Sequence, residues 1–180
     1  MKKKCLFLDR DGVIIEDKNY LSDPKEVIIR NEVPEFLLWA KKHFDLTIIL
    51  SNQSGIGRGY FNEDQLINVN EHINSLLEKF HLHIDHFFHC PHSPNDQCDC
   101  RKPLTGLLEQ ALKLYPDISI SHSIMIGDKE SDCLNDKNLQ SFLIKGSYPI
   151  SKRYSSITFN SLKDIKIYLQ SMDTNKERVP

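Results

Sequence analysis

Lys4-Cys5-Leu6-Phe7-Leu8-Asp9-Arg10-Asp11-Gly12, near the amino terminus, is the stretch on which the fold turns. Its apolar residues are continuous rather than alternating, so a strand from Lys4 to Leu8 reads as buried on both faces. Such strands belong to parallel sheets that carry helices on each side. The run stops at Asp9, and Asp11 follows in a turn that Gly12 permits, because glycine adopts backbone geometries that other residues resist.

The same pattern repeats outward from this strand. Pro34 suits a first helical position, and a helix from there to Phe44 places Phe36, Leu37, Ala40 and Phe44 on one face. Leu46 to Leu50 is a second continuous apolar strand, ending at Ser51. Asn62 and Gln65 have capping-box spacing ahead of a helix striped by Leu66, Val69, Ile73, Leu76 and Phe80. Ile84 to His89 reads as a third strand, and Thr105 to Tyr115 as a helix carrying Leu107, Leu108, Ala111 and Leu112. Ser123 to Ile126 is a fourth strand and Phe142 to Ile144 a fifth. A short strand near Ile157-Phe159 and a helix from about Leu162 to Leu169 finish the domain. The expected architecture is α/β: a doubly wound, mainly parallel sheet with helices on both faces. One domain is expected over 1–170, with a polar, frayed tail over 171–180.

In such sheets ligands bind beyond the carboxyl ends of the strands, near the point where strand order reverses. Asp9, Ser51, the segment reaching Lys102, and Asp128 all follow the ends of successive expected strands, so they converge on one edge of the sheet. Asp9, Asp11 and Asp128 form a carboxylate set suited to Mg²⁺, which prefers oxygen ligands and substrate phosphate. With phosphate charge neutralised, Asp9 can attack phosphorus as a nucleophile. Asp11 can protonate the leaving alkoxide and then deprotonate the hydrolytic water. Ser51, the Asn52 backbone and Lys102 are candidates to bind the transferring phosphoryl oxygens. Each motif alone is weak, since Asp-x-Asp-Gly occurs in ordinary turns and Arg101-Lys102 could be a solvated pair. Their order, each after a strand, carries the reading. Asp132, i+4 from Asp128, could reach the metal, orient Lys129, or be a plain surface residue.

Cys90-Pro91-His92 and Cys98-Asp99-Cys100 gather three of the chain's five cysteines around one histidine. Cys90, His92, Cys98 and Cys100 can supply all four ligands of a tetrahedral Zn²⁺, which leaves no open position and marks a structural site. Disulfides are the competing reading, and the expected compartment argues against them. The amino terminus is too short in apolar residues for a signal peptide, and no apolar run reaches the roughly 18 residues that would span a membrane. A cytoplasmic chain keeps its thiols reduced, and clustered Cys and His then read as metal ligands. The formal net charge of −2, with Lys and Arg dispersed, leaves no electrostatic footprint for nucleic acid. The expected partner is a small phosphorylated sugar or similar metabolite, met by a monomer.

Asp9-Arg10-Asp11-Gly12, Ser51-Asn52-Gln53-Ser54-Gly55, the Cys90 to Pro103 segment and Gly127-Asp128-Lys129 together resemble the haloacid dehalogenase superfamily of phosphatases, from Lys4 to about Gly146. Within it, the zinc loop and Asn52 to Gly59 resemble the D-glycero-D-manno-heptose 1,7-bisphosphate 7-phosphatases, bacterial enzymes that supply heptose for lipopolysaccharide and other surface glycans. The resemblance implies Asp9 as nucleophile, Asp11 as acid/base, and Mg²⁺ on Asp9, the Asp11 carbonyl and Asp128. It also implies substrate contacts from Asp17, Lys18, Asn19, Tyr20, Ser51, Asn52, Gln53, Ser54, Arg101, Lys102 and Lys129, with Arg58 in the Gly55 to Phe61 segment that favours the heptose reading. Val13 and Ser51 stand where threonine is common in the superfamily. The short spacing from His92 to Cys98 is like that of histidinol-phosphate phosphatases, which share this zinc loop and supply the alternative substrate. A zinc-stabilised module without catalysis is the alternative of another class.

The gaps from Asp11 to Ser51 and from Ser51 to Lys102 are filled by one helix, one strand and loops each. Neither can house a cap domain. A capless, open site is expected, walled by the zinc-bound loop and the Asp17-Tyr20 segment.

Overall fold

One sheet organises the chain, and the computed structural model describes residues 2–176 of it. Its strands are β1 (Cys5–Leu8), β2 (Leu46–Asn52), β3 (His86–Cys90), β4 (Ile124–Gly127), β5 (Gln140–Ile144) and β6 (Thr158–Phe159). They lie in the order β3-β2-β1-β4-β5-β6, and every neighbouring pair is parallel. The order reverses at β1, which pairs with β2 on one side and β4 on the other. That reversal opens a crevice above the carboxyl ends of these strands, where Asp9 and Asp128 stand.

The helices are α1 (Val33–Ala40), α2 (Ser54–Gly57), α3 (Glu63–Glu78), α4 (Gly106–Leu114) and α5 (Leu162–Lys176). Side chains alternate across a strand, and the continuous apolar runs therefore feed two separate cores. Leu6, Leu8, Ile49, Ile126 and Phe142 pack with residues of α1, α3 and α5 on one face. Cys5, Phe7, Ile48, Leu50 and Met125 pack with Leu107, Leu108 and Ala111 of α4 on the other. Phe7 is wholly buried, and truncating such a side chain to alanine costs about 3–5 kcal/mol. The helices cover both faces of the doubly wound sheet as expected.

Several boundaries differ from the sequence reading, each for a local reason. The helix from Pro34 closes at Ala40 instead of Phe44, and the backbone N–H groups of His43 and Phe44 both turn back onto the Ala40 carbonyl. The capping box of α3 is present, with reciprocal Asn62–Gln65 bonds of 2.9 and 3.0 Å. That helix ends at Glu78, so Phe80 falls outside it and is exposed, while Leu77 takes the core position. Helix α5 runs through Ser171 to Lys176, into the stretch expected to be a frayed tail. No Gly or Pro interrupts it there, and an established helix extends at one hydrogen bond per residue. The remainder of that expected tail, 177–180, lies outside the described residues. Among the described residues no helix is long and apolar enough to cross a membrane.

Candidate active site

Asp9 follows directly on β1 and is buried. Its backbone N–H is held by the Ile126 carbonyl at 2.9 Å, which ties the end of β1 to β4. Lys102 Nζ donates to Asp9 Oδ1 at 2.7 Å and to the Leu50 carbonyl at 2.6 Å, and lies 2.5 Å from Asp132 Oδ1. Burial drives the Asp9 carboxyl above its ordinary range, against the lowering by Lys102. Burial lowers the Lys102 ammonium, but Asp132 and Asp9 outweigh it and the net direction is up.

Asp128 follows β4 and comes against Gly12. Gly12 has φ +83°, and a Cβ built on it would lie 2.2 Å from Asp128 Oδ2, so glycine is required here for both conformation and space. Burial, then the neighbouring Asp9 charge, pushes the Asp128 carboxyl up to about 7. Asp128 Oδ1 is buried with no hydrogen-bond donor among the described residues, and Lys129 Nζ stands 4.0 Å away. A buried carboxylate oxygen left without a donor is costly, and a bound cation would satisfy it.

Asp132 is not the plain surface residue that its spacing left open. It is buried at the end of the short 3₁₀ turn Glu130–Asp132. Its Oδ2 accepts the backbone N–H groups of Asp128 and Lys129 at 3.1 and 3.0 Å, while Oδ1 faces Lys102. Carboxylate oxygens of Asp9, Asp128 and Asp132 lie within 4.8 Å of one another. Asp132 Oδ2 is committed to two backbone N–H groups and its Oδ1 faces the ammonium that also holds Asp9 Oδ1, while Asp128 Oδ1 has no donor, so Asp9 and Asp128 each keep an oxygen that a metal could take.

Asp11 is gripped by residues of the same motif and of β2's far end. Arg10 Nε and Nη2 donate to its two oxygens at 3.0 and 3.1 Å, and Gln53 Nε2 donates to Oδ2 at 2.8 Å. The fully buried Arg10 carries no strand or spacing signal, and sequence reasoning assigned it nothing.

Cys90, His92, Cys98 and Cys100 bring their ligand atoms within 4.8 Å of one another. Cys90 Sγ lies 3.8 Å from Cys98 Sγ and 3.5 Å from His92 Nδ1, and His92 Nδ1 lies 3.3 Å from Cys100 Sγ. Two sulfurs about 2.3 Å from a tetrahedral zinc stand roughly 3.8 Å apart, and sulfur and nitrogen roughly 3.5 Å, so the donor set fits Zn²⁺. The five cysteines, all among the described residues, are free thiols. This loop is stitched to the crevice. Gly57 N–H bonds the Pro91 carbonyl at 2.8 Å, and a Cβ at Gly57 would meet that oxygen at 2.7 Å. The Asn52 side chain bonds both backbone groups of Lys102, at 2.9 and 3.1 Å.

Asp9, Arg10, Asp11, Ser51, Gln53 and Lys102 line a cavity of about 210 Å³, and its walls include Asn19, Tyr20, Ser54, Arg101 and Lys129. Arg101 spends one donor on the His92 carbonyl at 3.3 Å. Asp17 meets Lys129 at 3.5 Å and the Tyr148 hydroxyl at 2.8 Å, and the Lys129 ammonium lies 4.2 Å from the Tyr148 ring centre. Burial raises the Asp17 carboxyl, but the Tyr148 hydroxyl, the Asn19 N–H and Lys129 bring it net below the ordinary range. Tyr148 had no motif to announce it. Lys18 and Arg58, both expected to touch substrate, are exposed and outside the cavity lining. Asn19 N–H bonds Asp17 Oδ1 in a tight turn whose exposed middle residue is Lys18, and Arg58 closes α2 with its backbone bonded to Ser54. Asp128 borders the adjoining cavity behind Gly12.

Comparison with known proteins identifies the family. Residues 4–145 match the family model described as polynucleotide kinase 3 phosphatase. The D-glycero-beta-D-manno-heptose-1,7-bisphosphate 7-phosphatase of Helicobacter pylori strain J99 is 35% identical over 165 residues, covering 90% of this chain and 94% of that protein. The alpha-anomer counterpart of Photorhabdus laumondii is 37% identical over 164 residues, covering 84% and 87%. The D,D-heptose 1,7-bisphosphate phosphatase of B. bronchiseptica, solved with magnesium and phosphate, superposes with a TM-score of 0.77 at 24% identity, covering 94% of this chain and 99% of that one. The first two relatives support the enzyme class and the last the fold. The chain belongs to the haloacid dehalogenase superfamily of phosphatases, and it resembles the members that act on heptose bisphosphate.

Proposed function

We propose that this phosphatase removes the 7-phosphate of D-glycero-D-manno-heptose 1,7-bisphosphate through a phosphoryl group carried on Asp9. The observation that carries the reading is the setting of Asp9: a buried carboxylate beside the cavity, with Lys102 at 2.7 Å. Asp9 would attack phosphorus, the bond to the sugar oxygen would break, and Asp11 would supply that oxygen with a proton. Water activated by Asp11 would then cleave the acyl phosphate. Lys102, beside Asp9, offsets negative charge as the phosphoryl group arrives, and Ser51 binds its oxygens. Asp9, Asp128 and the Asp11 carbonyl would hold Mg²⁺, which when bound screens the phosphate charge so that an anionic nucleophile can approach. Cys90, His92, Cys98 and Cys100 would hold Zn²⁺ and so keep Arg101 and Lys102 in place.

The substrate assignment rests on the names of the relatives and on the cavity, whose lining includes Arg101, a guanidinium bonded to the His92 carbonyl and in no ion pair among the described residues. A second phosphate on the substrate would give that guanidinium a partner. The test is phosphate release, with Mg²⁺, from α- and β-heptose 1,7-bisphosphate and from histidinol phosphate. A heptose bisphosphate should give the highest kcat/KM, and higher efficiency with histidinol phosphate would overturn the assignment.

A further inference from the structure

Arg10 is the largest fully buried side chain among the described residues, at 1% exposure, and it lies one residue from the proposed nucleophile. Its guanidinium engages both oxygens of Asp11, donates from Nη2 to Gln53 Oε1 at 3.1 Å, and from Nη1 to Asn70 Oδ1 of α3 at 3.3 Å. A guanidinium has donors only and does not lose its proton in a protein. The amide of Gln53 must therefore turn its oxygen toward Arg10. Its nitrogen then faces the other way, donating to Asp11 Oδ2 at 2.8 Å and to Ser51 Oγ at 2.6 Å. Reversing the amide would set N–H against N–H at Arg10 and oxygen against oxygen at Asp11. An amide's two ends are told apart by such a network, and here two partners impose the same answer.

The consequence falls on Ser51, a buried residue that lines the cavity. Its oxygen accepts from Gln53, and no acceptor among the described residues takes its proton. With the chain running in this direction, the hydroxyl presents a donor to whatever enters. Run the other way, Ser51 would give its proton to Gln53 and turn lone pairs toward an incoming anion. We infer that Arg10 is a positioning residue: it fixes the direction of the hydrogen-bond chain Arg10–Gln53–Ser51 so that the Ser51 hydroxyl donates to the transferring phosphoryl group. The inference rests on the reading of Ser51 as a phosphoryl contact, and it adds that this contact is set through Gln53 by a buried cation.

The test is a double-mutant cycle on kcat/KM, with Ser51→Ala made in the wild type, in Arg10→Lys and in Gln53→Glu. Lysine keeps the charge but not the fork. Glutamate at 53 has no N–H to give and must take the serine proton instead. Loss of one preorganised donor costs on the order of 100-fold, and that is the effect expected of Ser51→Ala in the wild type. In either altered background the same change should cost no more than about twofold, since the donor is already lost there. An equal cost in all three backgrounds would overturn the inference. If Arg10→Lys does not fold, Gln53→Glu completes the cycle alone. No cost of Ser51→Ala in the wild type would remove both the serine contact and the inference, whereas turnover surviving in Asp9→Asn, measured alongside, would remove the reading of the nucleophile.

Discussion

Lys102 Nζ lies 2.7 Å from Asp9 Oδ1 across a sequence separation of 93 residues, and 2.5 Å from Asp132 Oδ1. One ammonium thus sits between two buried carboxylates. Removing one partner of such a group leaves uncompensated charge, which costs about 3–5 kcal/mol. Lys102→Met should lower the free energy of unfolding in urea by that order and abolish turnover. A variant as stable as wild type would show that the pair of acids does not depend on the lysine.

Asp11→Asn should separate leaving groups. An amide cannot deliver a proton to an alkoxide, while an activated aryl phosphate leaves with little assistance. Turnover of an alkyl phosphate should therefore fall by on the order of 100-fold or more, and that of a nitrophenyl ester considerably less. Equal losses for the two would count against an acid role for Asp11.

If Cys90, His92, Cys98 and Cys100 hold zinc as proposed, a stability effect follows that magnesium does not repair. Cys98→Ser, or a chelator strong enough to strip Zn²⁺, should lower the melting temperature and release the loop that carries Arg101 and Lys102. Activity should fall with it, and excess Mg²⁺ should not restore it. Metal analysis of protein purified under reducing conditions should find about one zinc per chain, as a closed tetrahedral site requires. Finding none would refute the site.

Arg101 should govern the choice between bisphosphate and monophosphate. It lines the cavity and holds only the His92 carbonyl among the bonds seen, so most of its guanidinium is available to a ligand. A charge-assisted contact of this kind contributes roughly 1.5–3 kcal/mol. Arg101→Ala should lower kcat/KM for a heptose bisphosphate about tenfold to a hundredfold more than for a monophosphate. An unchanged ratio would remove Arg101 from substrate recognition.

Much of this architecture is legible in the chain alone, because the signals are local. Continuous apolar runs such as Leu6-Phe7-Leu8 and Ile48-Ile49-Leu50 mark strands buried on both faces, and the capping pair Asn62 and Gln65 marks where α3 begins. Cys90, His92, Cys98 and Cys100 lie close enough in sequence that one loop gathers them. Placing Asp9, Ser51 and Asp128 at one edge needs only the rule that parallel strands end together.

What the sequence determined by itself is the set of strands, the acidic motifs and the clustered Cys/His loop, since each depends on residues a few positions apart. Only the tertiary structure decided that Asp132 is buried against Lys102, that Tyr148 braces Asp17 and Lys129, and that Lys18 and Arg58 stay in solvent. Nor does any spacing reveal that Arg10 reaches Gln53 and Asn70. These contacts join segments whose nearness follows from strand order and register. Hydrogen bonds and ion pairs are made or missed within fractions of an ångström, which residue pattern does not specify.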